Sequence, residues 1–321
     1  VYVRVQGEAN PGWIDWLGLF VILCLAMVLA ARRVSFVLAC AALLMALGGI
    51  SNLVASINQE RERSYFGTYS ITQRADGDRV LMHGTTIHGM QRANEAASEP
   101  TAYNGRGSGV GLALADAGRI VGPGARIGSV GLGVGTLACY RQPDQSWTFF
   151  EIDPVVVKFS GPGKFTFLQD CAPDANILIG DARLRLKELP PASFDVLVID
   201  AFSSDAIPLH LLTVEAMAIY ERALAPDGLL LLHTSNRYVR LEPVVARLAQ
   251  VRGLSAMLWF DQPERENDLY PSTWIALSPA RAPLDALSTT ADWRLLVEPQ
   301  EPVWTDDYAS VLPYFVWENF L

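Results

Sequence analysis

Cysteine and histidine are scarce in this chain of 321 residues, with four of each. Cys24, Cys40, Cys139 and Cys171 are scattered, two of them in apolar runs near the start, and none forms a C-x-x-C pair. That distribution argues against a disulfide framework and against a zinc site. The histidines show no metal spacing either. His83 and His88 are the closest pair and sit in a Gly/Thr-rich segment, where a turn or pocket role fits better than a metal. No metal is expected. Positive charge is also in deficit: 25 Lys and Arg face 34 Asp and Glu, for a net charge of −9. There is no basic run and no interleaving of basic with aromatic residues, which argues against a nucleic-acid partner. Hydrophobic residues, by contrast, make up 50% of the chain, and the excess is concentrated at its start.

Residues 13–31 are apolar apart from Asp15, Arg32-Arg33 interrupts, and residues 34–57 are again apolar or small. Each run is near the roughly 20 residues that cross a bilayer as a helix. Trp13 and Trp16 are placed to anchor the first run at the interface. A signal peptide fits poorly, because there are two runs with no small-residue cleavage pattern between them. A buried helical hairpin is the other alternative. The expectation is a transmembrane helical hairpin within residues 1–60, with the lipid bilayer as a partner. Arg32-Arg33 would place the connection in the cytoplasm, whereas Arg61 and Arg63, accompanied by Glu60 and Glu62, pull the other way, so charge does not settle the orientation. The chain begins with Val rather than Met, and further sequence upstream is expected.

Residues 61–100 read as a small β-rich segment. Residues 65–72 alternate as a strand does, Ala75-Asp-Gly-Asp78 is a hairpin-type turn, and residues 79–82 return as a second strand. Residues 83–91 hold too much Gly and Thr for a helix. A loop around Tyr103 follows, then helical spacing over residues 109–120, ended by Gly122-Pro123-Gly124. Residues 101–321 form the main domain.

In that domain, Arg126-Ile-Gly-Ser-Val-Gly131-Leu-Gly133-Val-Gly135 reads as a buried strand, a glycine-rich turn and the start of a helix. A second apolar strand ends in Glu151-Ile152-Asp153, with Glu151 twenty positions beyond Gly131. This is the pattern of a nucleotide-type site in a doubly wound sheet. The glycines let backbone approach a ligand, and an acid at the next strand tip can accept from two ribose hydroxyls. Further strands are expected at residues 176–179, 194–199 and 229–233, a final pair at residues 256–260 and 273–277, and helices at residues 154–160, 213–224 and 239–250. Continuous apolar strands separated by helices predict a mostly parallel sheet covered on both faces. Three acids, Glu151, Asp181 and Asp200, fall just after strand ends, where open sheets bind ligands. One such acid can be a helix cap; three beside a glycine loop point to one site.

Gly131-Leu-Gly-Val-Gly135, Glu151-Ile-Asp153, Gly180-Asp-Ala182 and Val198-Ile-Asp200 resemble the successive motifs of the Rossmann-like, class I S-adenosylmethionine-dependent methyltransferase fold. More narrowly they resemble the spermidine synthases, the polyamine aminopropyltransferases. The β-segment with Gly84 and Gln91, the Tyr103 loop, and the loop from Asp200 to Pro208 fit that narrower match. The tail Trp304-Thr-Asp306-Asp307-Tyr308 resembles the ending of membrane-attached spermidine-synthase-like proteins. The resemblance implies an α/β fold, a small N-terminal β-segment, and S-adenosylmethionine or its decarboxylated form as cosubstrate. It implies a small amine such as putrescine as acceptor, and a homodimer. Gly131, Gly133 and Gly135 would pass under the nucleoside, Glu151 would hold the ribose, and Asp181 with Ala182 would meet the adenine. Gln91 belongs to the cofactor-binding set. Asp200 would be the general base that deprotonates the attacking amine. A nucleoside cosubstrate favours a cytoplasmic catalytic domain at a bacterial inner membrane.

A carboxylate at Asp200 can orient the ammonium toward the electrophilic carbon and accept its proton as the bond forms. Asp205 would help bind a cationic substrate, or serve as a loop or N-cap residue. Tyr103 would offer a hydroxyl or an aromatic face to the cation, or be structural. Asp306 and Asp307 are either an acidic mouth or a solvated turn. Two departures stand out. The family's glycine loop carries an aspartate where this chain has Val134, which opens the identity of the sulfonium donor. The catalytic loop, Asp200-Ala-Phe202-Ser-Ser-Asp205-Ala-Ile-Pro208, is two residues longer than the family's and adds an apolar Phe202. Aminopropyl transfer is therefore the leading expectation. Methyl transfer or cleavage of S-adenosylmethionine is the second, and a non-catalytic nucleoside-sensing membrane module the third.

Overall fold

The computed structural model describes residues 33–320 apart from 85, 95–97, 162, 202–206, 264–267 and 297–301, together with residues 17, 20, 21 and 24. The expected transmembrane hairpin is not supported: among the described residues no helix is long and apolar enough to cross a membrane. The first apolar run lies largely outside the described residues. The second is divided into α1 (Arg33–Leu44), a π-helical turn (Met45–Gly49) and α2 (Ile50–Ile57). Gly48 takes φ +97°, in the left-handed region, and interrupts the α-helical course. The 12 residues of α1 rise about 18 Å, short of the roughly 30 Å of a hydrocarbon core.

Four antiparallel strands follow in sequence order: β1 (Arg61–Arg63), β2 (Thr68–Gln73), β3 (Arg79–His83) and β4 (Thr86–Gln91). The Gly/Thr-rich stretch after His83 is thus itself a strand. Two short helices, α3 (Gly109–Ala115) and α4 (Ala117–Ile120), take the place of the single helix expected there. Ser108 caps α3 by accepting from the Gly111 N–H at 3.1 Å.

The main sheet begins with β5 (Arg126–Val130), and the glycine turn after it leads into a 3-10 helix, Thr136–Tyr140, rather than an α-helix. Next come β6 (Ser146–Glu151), α5 (Pro154–Phe159), α6 (Phe167–Cys171), β7 (Asn176–Ile179), α7 (Ala182–Glu188) and β8 (Phe194–Ile199). They are followed by α8 (Val214–Ala223), β9 (Leu224–His233), α9 (Glu242–Arg252), β10 (Ser255–Asp261), β11 (Ser272–Ser278), α10 (Arg281–Leu287) and β12 (Arg294–Leu295). The spatial order is β12-β10-β11-β9-β8-β5-β6-β7. Strands β9, β8, β5, β6 and β7 run parallel, and β11, β10 and β12 extend the sheet antiparallel. The chain enters at β5, adds β6 and β7 on one side, then crosses to β8 on the other. The switch point therefore lies between β5 and β8, where open sheets bind ligands.

Alternate side chains of these strands feed two cores. Phe149, Val196, Val198, Leu229 and Leu231 enter one, with Leu137, Trp147 and Trp274. Phe150, Leu197, Ile199, Leu230 and Leu232 enter the other, with Leu186, Tyr220 and Trp304. Each such side chain contributes about 1.5–3 kcal/mol by leaving water. That burial on both faces is why the strands read as unbroken apolar runs.

The expectation of a chain without disulfides is corrected: Cys139, in the 3-10 helix after the glycine turn, is bonded to Cys171 at the end of α6, with their Cα atoms 4.8 Å apart.

Candidate active site

Gly131 follows the last residue of β5 and takes φ +95°. Its N–H donates to the Phe150 carbonyl at 2.8 Å, while the Asp200 N–H donates to the Val130 carbonyl at 2.8 Å. The ends of β6, β5 and β8 are thereby laced together around the turn. A cavity of about 260 Å³ opens above them. It is lined by Gly131, Gly133, Glu151, Asp181, Ala182, Asp200 and Tyr103 among others, so most of the expected site residues converge on one space. No lysine or arginine is among the described lining residues.

Glu151 is buried at the tip of β6. Its Oε2 accepts from the Leu132 N–H at 3.0 Å and its Oε1 from the Asp153 N–H at 2.9 Å. These bonds fix the carboxylate, and each oxygen keeps a second lone pair. Burial pushes its carboxyl above the usual carboxylate range, against the pull of the backbone donors at Asp153, Leu132 and Ile152. Asp181 is both cap and wall. Its Oδ1 accepts from Leu184 N–H at 3.0 Å at the start of α7, and its Oδ2 lies 3.3 Å from Nε2 of His210, another lining residue. The neighbouring acid Asp153 is a cap of α5, accepting from Val155 N–H at 2.9 Å.

Asp200 directly follows β8 at the switch point, with only 9% of its side chain exposed. Its Oδ1 lies 2.7 Å from Nδ1 of His233. Tyr103 is half-buried, and burial followed by the nearby charge of Asp200 holds its hydroxyl far above the usual phenol range, so it stays a neutral donor and acceptor. Two further lining residues, His88, for which a turn or pocket role was expected, and Asn104, which the sequence did not single out, each present a buried atom, Nε2 and Oδ1 respectively, with no hydrogen-bond partner among the described residues. Burial, with His83 adding to it, pushes the His88 imidazole down to about 4, so it is neutral at ordinary pH. Orphaned polar atoms on a cavity wall are groups that a ligand can satisfy.

Not every expected residue faces the cavity. Gln91, at the end of β4, donates from Nε2 to Thr166 Oγ1 at 2.8 Å and accepts from Thr166 N–H at 2.9 Å, tying the small sheet to the segment before α6. It is not among the lining residues. Gly135 also lies off the wall. A Cβ there would come 3.0 Å from Leu168, so its place in the turn serves packing against α6. Asp205 and Phe202 lie outside the described residues. Asp306 is spent on a fork from Arg183, at 2.7 Å and 2.5 Å, and on the hydroxyl of Thr213 at 2.8 Å. That pairing draws its carboxyl down to about 2. It ties the tail to α7 and to the cap of α8 rather than lining a mouth. Val134 is 1% exposed and its methyls fill the space where Gly89 lacks a Cβ. Among the described residues no cluster of three or more His, Cys, Asp or Glu is placed to hold a metal.

No protein-family model matches the chain. Over 114 residues it is 30% identical to a polyamine aminopropyltransferase of Vibrio vulnificus (strain CMCP6), a match covering 34% of this chain and 37% of that protein. The chain thus matches little more than a third of that relative's length. Among solved structures, a probable spermidine synthase from Corynebacterium glutamicum superposes with a TM-score of 0.54 at 16% identity, over 78% of this chain and 98% of the other. A spermidine synthase from Thermotoga maritima gives 0.48 at 16% identity, over 81% and 84%. The first of these superpositions defines the fold: the chain has an α/β fold similar to that of a spermidine synthase.

Proposed function

We propose that this protein is an aminopropyltransferase-like enzyme that moves an aminopropyl group from decarboxylated S-adenosylmethionine to a small amine such as putrescine. One observation carries the reading: Glu151, Asp181 and Asp200 converge with the glycine turn on one cavity that has no lysine or arginine among its described lining residues. Such a wall suits two cations, a sulfonium and an ammonium. Glu151 would accept from the ribose hydroxyls and Asp181 from the adenine amino group. Asp200 attracts and orients the amine. As the amine nitrogen bonds to the donor's carbon, the C–S bond breaks and its electron pair stays on sulfur, giving a neutral thioether. The nitrogen's proton passes to the Asp200 carboxylate. The likeness to a polyamine aminopropyltransferase over 114 residues supports this reading.

Val134 favours a second reading, methyl transfer, because the turn offers no carboxylate there to a donor's terminal amine. Product analysis separates the two. Methylthioadenosine from the decarboxylated donor, formed only when putrescine is present, supports aminopropyl transfer. S-adenosylhomocysteine from S-adenosylmethionine supports methyl transfer, and binding without product sinks both in favour of a sensor. Under either transfer, Asp200→Asn should lower turnover by about 10²- to 10⁴-fold while nucleoside affinity changes little. Full activity in that variant removes the base.

A further inference from the structure

We propose that His233 is the positioning residue for Asp200, its imidazole holding the carboxylate in one orientation and leaving the second oxygen to the acceptor amine. This rests on the reading of Asp200 as the base.

His233 is the last residue of β9, and its neighbour Leu232 pairs with Ile199, the residue before Asp200. The register alone therefore brings the imidazole beside the carboxylate. The ring is held between two aromatic faces. Tyr103 stacks on one side at 4.8 Å and 18°, Trp274 on the other at 4.6 Å and 16°. Only 8% of the side chain is exposed. Stacking on both faces fixes the ring plane, and hydrogen bonds fix its rotation within that plane.

The direction of the bond to Asp200 follows from its acceptor. The Thr273 N–H, which can only donate, gives to Ser235 Oγ at 2.7 Å. The Ser235 hydroxyl lies 2.9 Å from Nε2 of His233. A carboxylate can only accept, so the ring nitrogen facing it, Nδ1, carries a proton and donates to Asp200 Oδ1 at 2.7 Å. A hydrogen bond to an ionised, nearly buried carboxylate is strong and directional. In the transfer step His233 takes no proton. The amine's proton goes to the other Asp200 oxygen, and Nδ1–H stays where it is. Tyr103 lines the cavity on the far face of the same ring, so the stack joins the acceptor wall to the base.

Two substitutions separate the hydrogen bond from the stack. His233→Asn keeps an N–H near the place of Nδ1 and loses the ring. His233→Phe keeps the ring between Tyr103 and Trp274 and loses the donor. We expect kcat to fall about 10- to 100-fold in His233→Phe, the worth of a hydrogen bond to a charged group, with nucleoside Kd within about twofold of wild type. His233→Asn should retain clearly more kcat than His233→Phe. The reverse ranking means the stack matters and the bond does not, and overturns the proposal. A ¹⁵N-histidine spectrum of the wild-type protein gives a readout that needs no turnover. A ring protonated on Nδ1 whose signal moves in Asp200→Ala supports the proposal, and a ring protonated on Nε2 alone overturns it. If the wild type transfers nothing to any amine, the transferase reading fails by itself, and the spectrum still decides the bond between His233 and Asp200.

Discussion

Gly131 and Asp200 touch through their backbones: a Cβ built on Gly131 would come 2.0 Å from the carbonyl oxygen of Asp200. The two residues directly follow neighbouring parallel strands. The turn assigned to the nucleoside and the carboxylate assigned to the amine are thus one packed unit, and neither can shift without the other. Gly131→Ala should displace the Asp200 peptide as well as strain a residue at φ +95°. The left-handed backbone alone costs about 1–2 kcal/mol. Thermal melts should show a lower Tm, and nucleoside titration and turnover should fall together. A variant that loses nucleoside binding but keeps the wild-type Tm would contradict the shared packing.

Glu151 braces the turn as well as lining the cavity. Glu151→Ala removes the acceptor for the Leu132 and Asp153 N–H groups along with the one proposed for the ribose. Each hydrogen bond to a charged group is worth about 1.5–3 kcal/mol, so nucleoside Kd should rise about 10- to 100-fold, with a lower Tm. Calorimetric titration checks the first and a melt the second. An unchanged Kd would remove the ribose assignment.

His88 makes stability depend on pH. The unfolded chain takes up this proton near 6.5, the folded chain only near 4. The folded state therefore binds fewer protons in between. The contribution is full above about 6.5 and is lost as pH falls through that window toward about 4. His88→Gln should flatten the Tm-against-pH curve over that interval relative to wild type. Parallel curves would mean that the imidazole is protonated in the folded protein.

The disulfide between Cys139 and Cys171 closes a loop of sequence separation 32. In the chain-entropy account a loop of that size is worth about 3–4 kcal/mol. Reduction, or the double replacement Cys139→Ser with Cys171→Ser, should lower Tm by several degrees. It should also weaken nucleoside binding, because Cys139 sits in the helix that the glycine turn leads into. Melts with and without reductant test this, and coincident curves would argue that the bridge bears no load.

Much of this architecture could be read from residue patterns, for a definite reason. Strands buried on both faces must be apolar throughout, and a ligand site at their carboxyl ends must place polar groups just after them. Val196 to Ile199 followed by Asp200 shows both. What escaped the reading depends on contacts that no local pattern encodes. Cys139 and Cys171 lie in a 3-10 helix and a five-residue helix, both too short to show periodicity. His233 looks like any polar end of an apolar strand until the β8–β9 register sets it against Asp200. Gln91 carries no local sign that Thr166 occupies both ends of its amide. The apolar length of residues 34–57 was plain, but the break at Gly48 was not, since a glycine inside an apolar run often continues a helix.

The acid-lined cavity also bears on how the site clears itself. On the proposed reaction the donor enters as a cation and leaves as a neutral thioether. The wall of Glu151, Asp181 and Asp200 attracts the first by charge and holds the second only by shape and hydrogen bonds. The alkylated amine, by contrast, leaves still charged. Chemistry itself thus loosens the spent nucleoside, and of the two products it is the amine that would linger and inhibit.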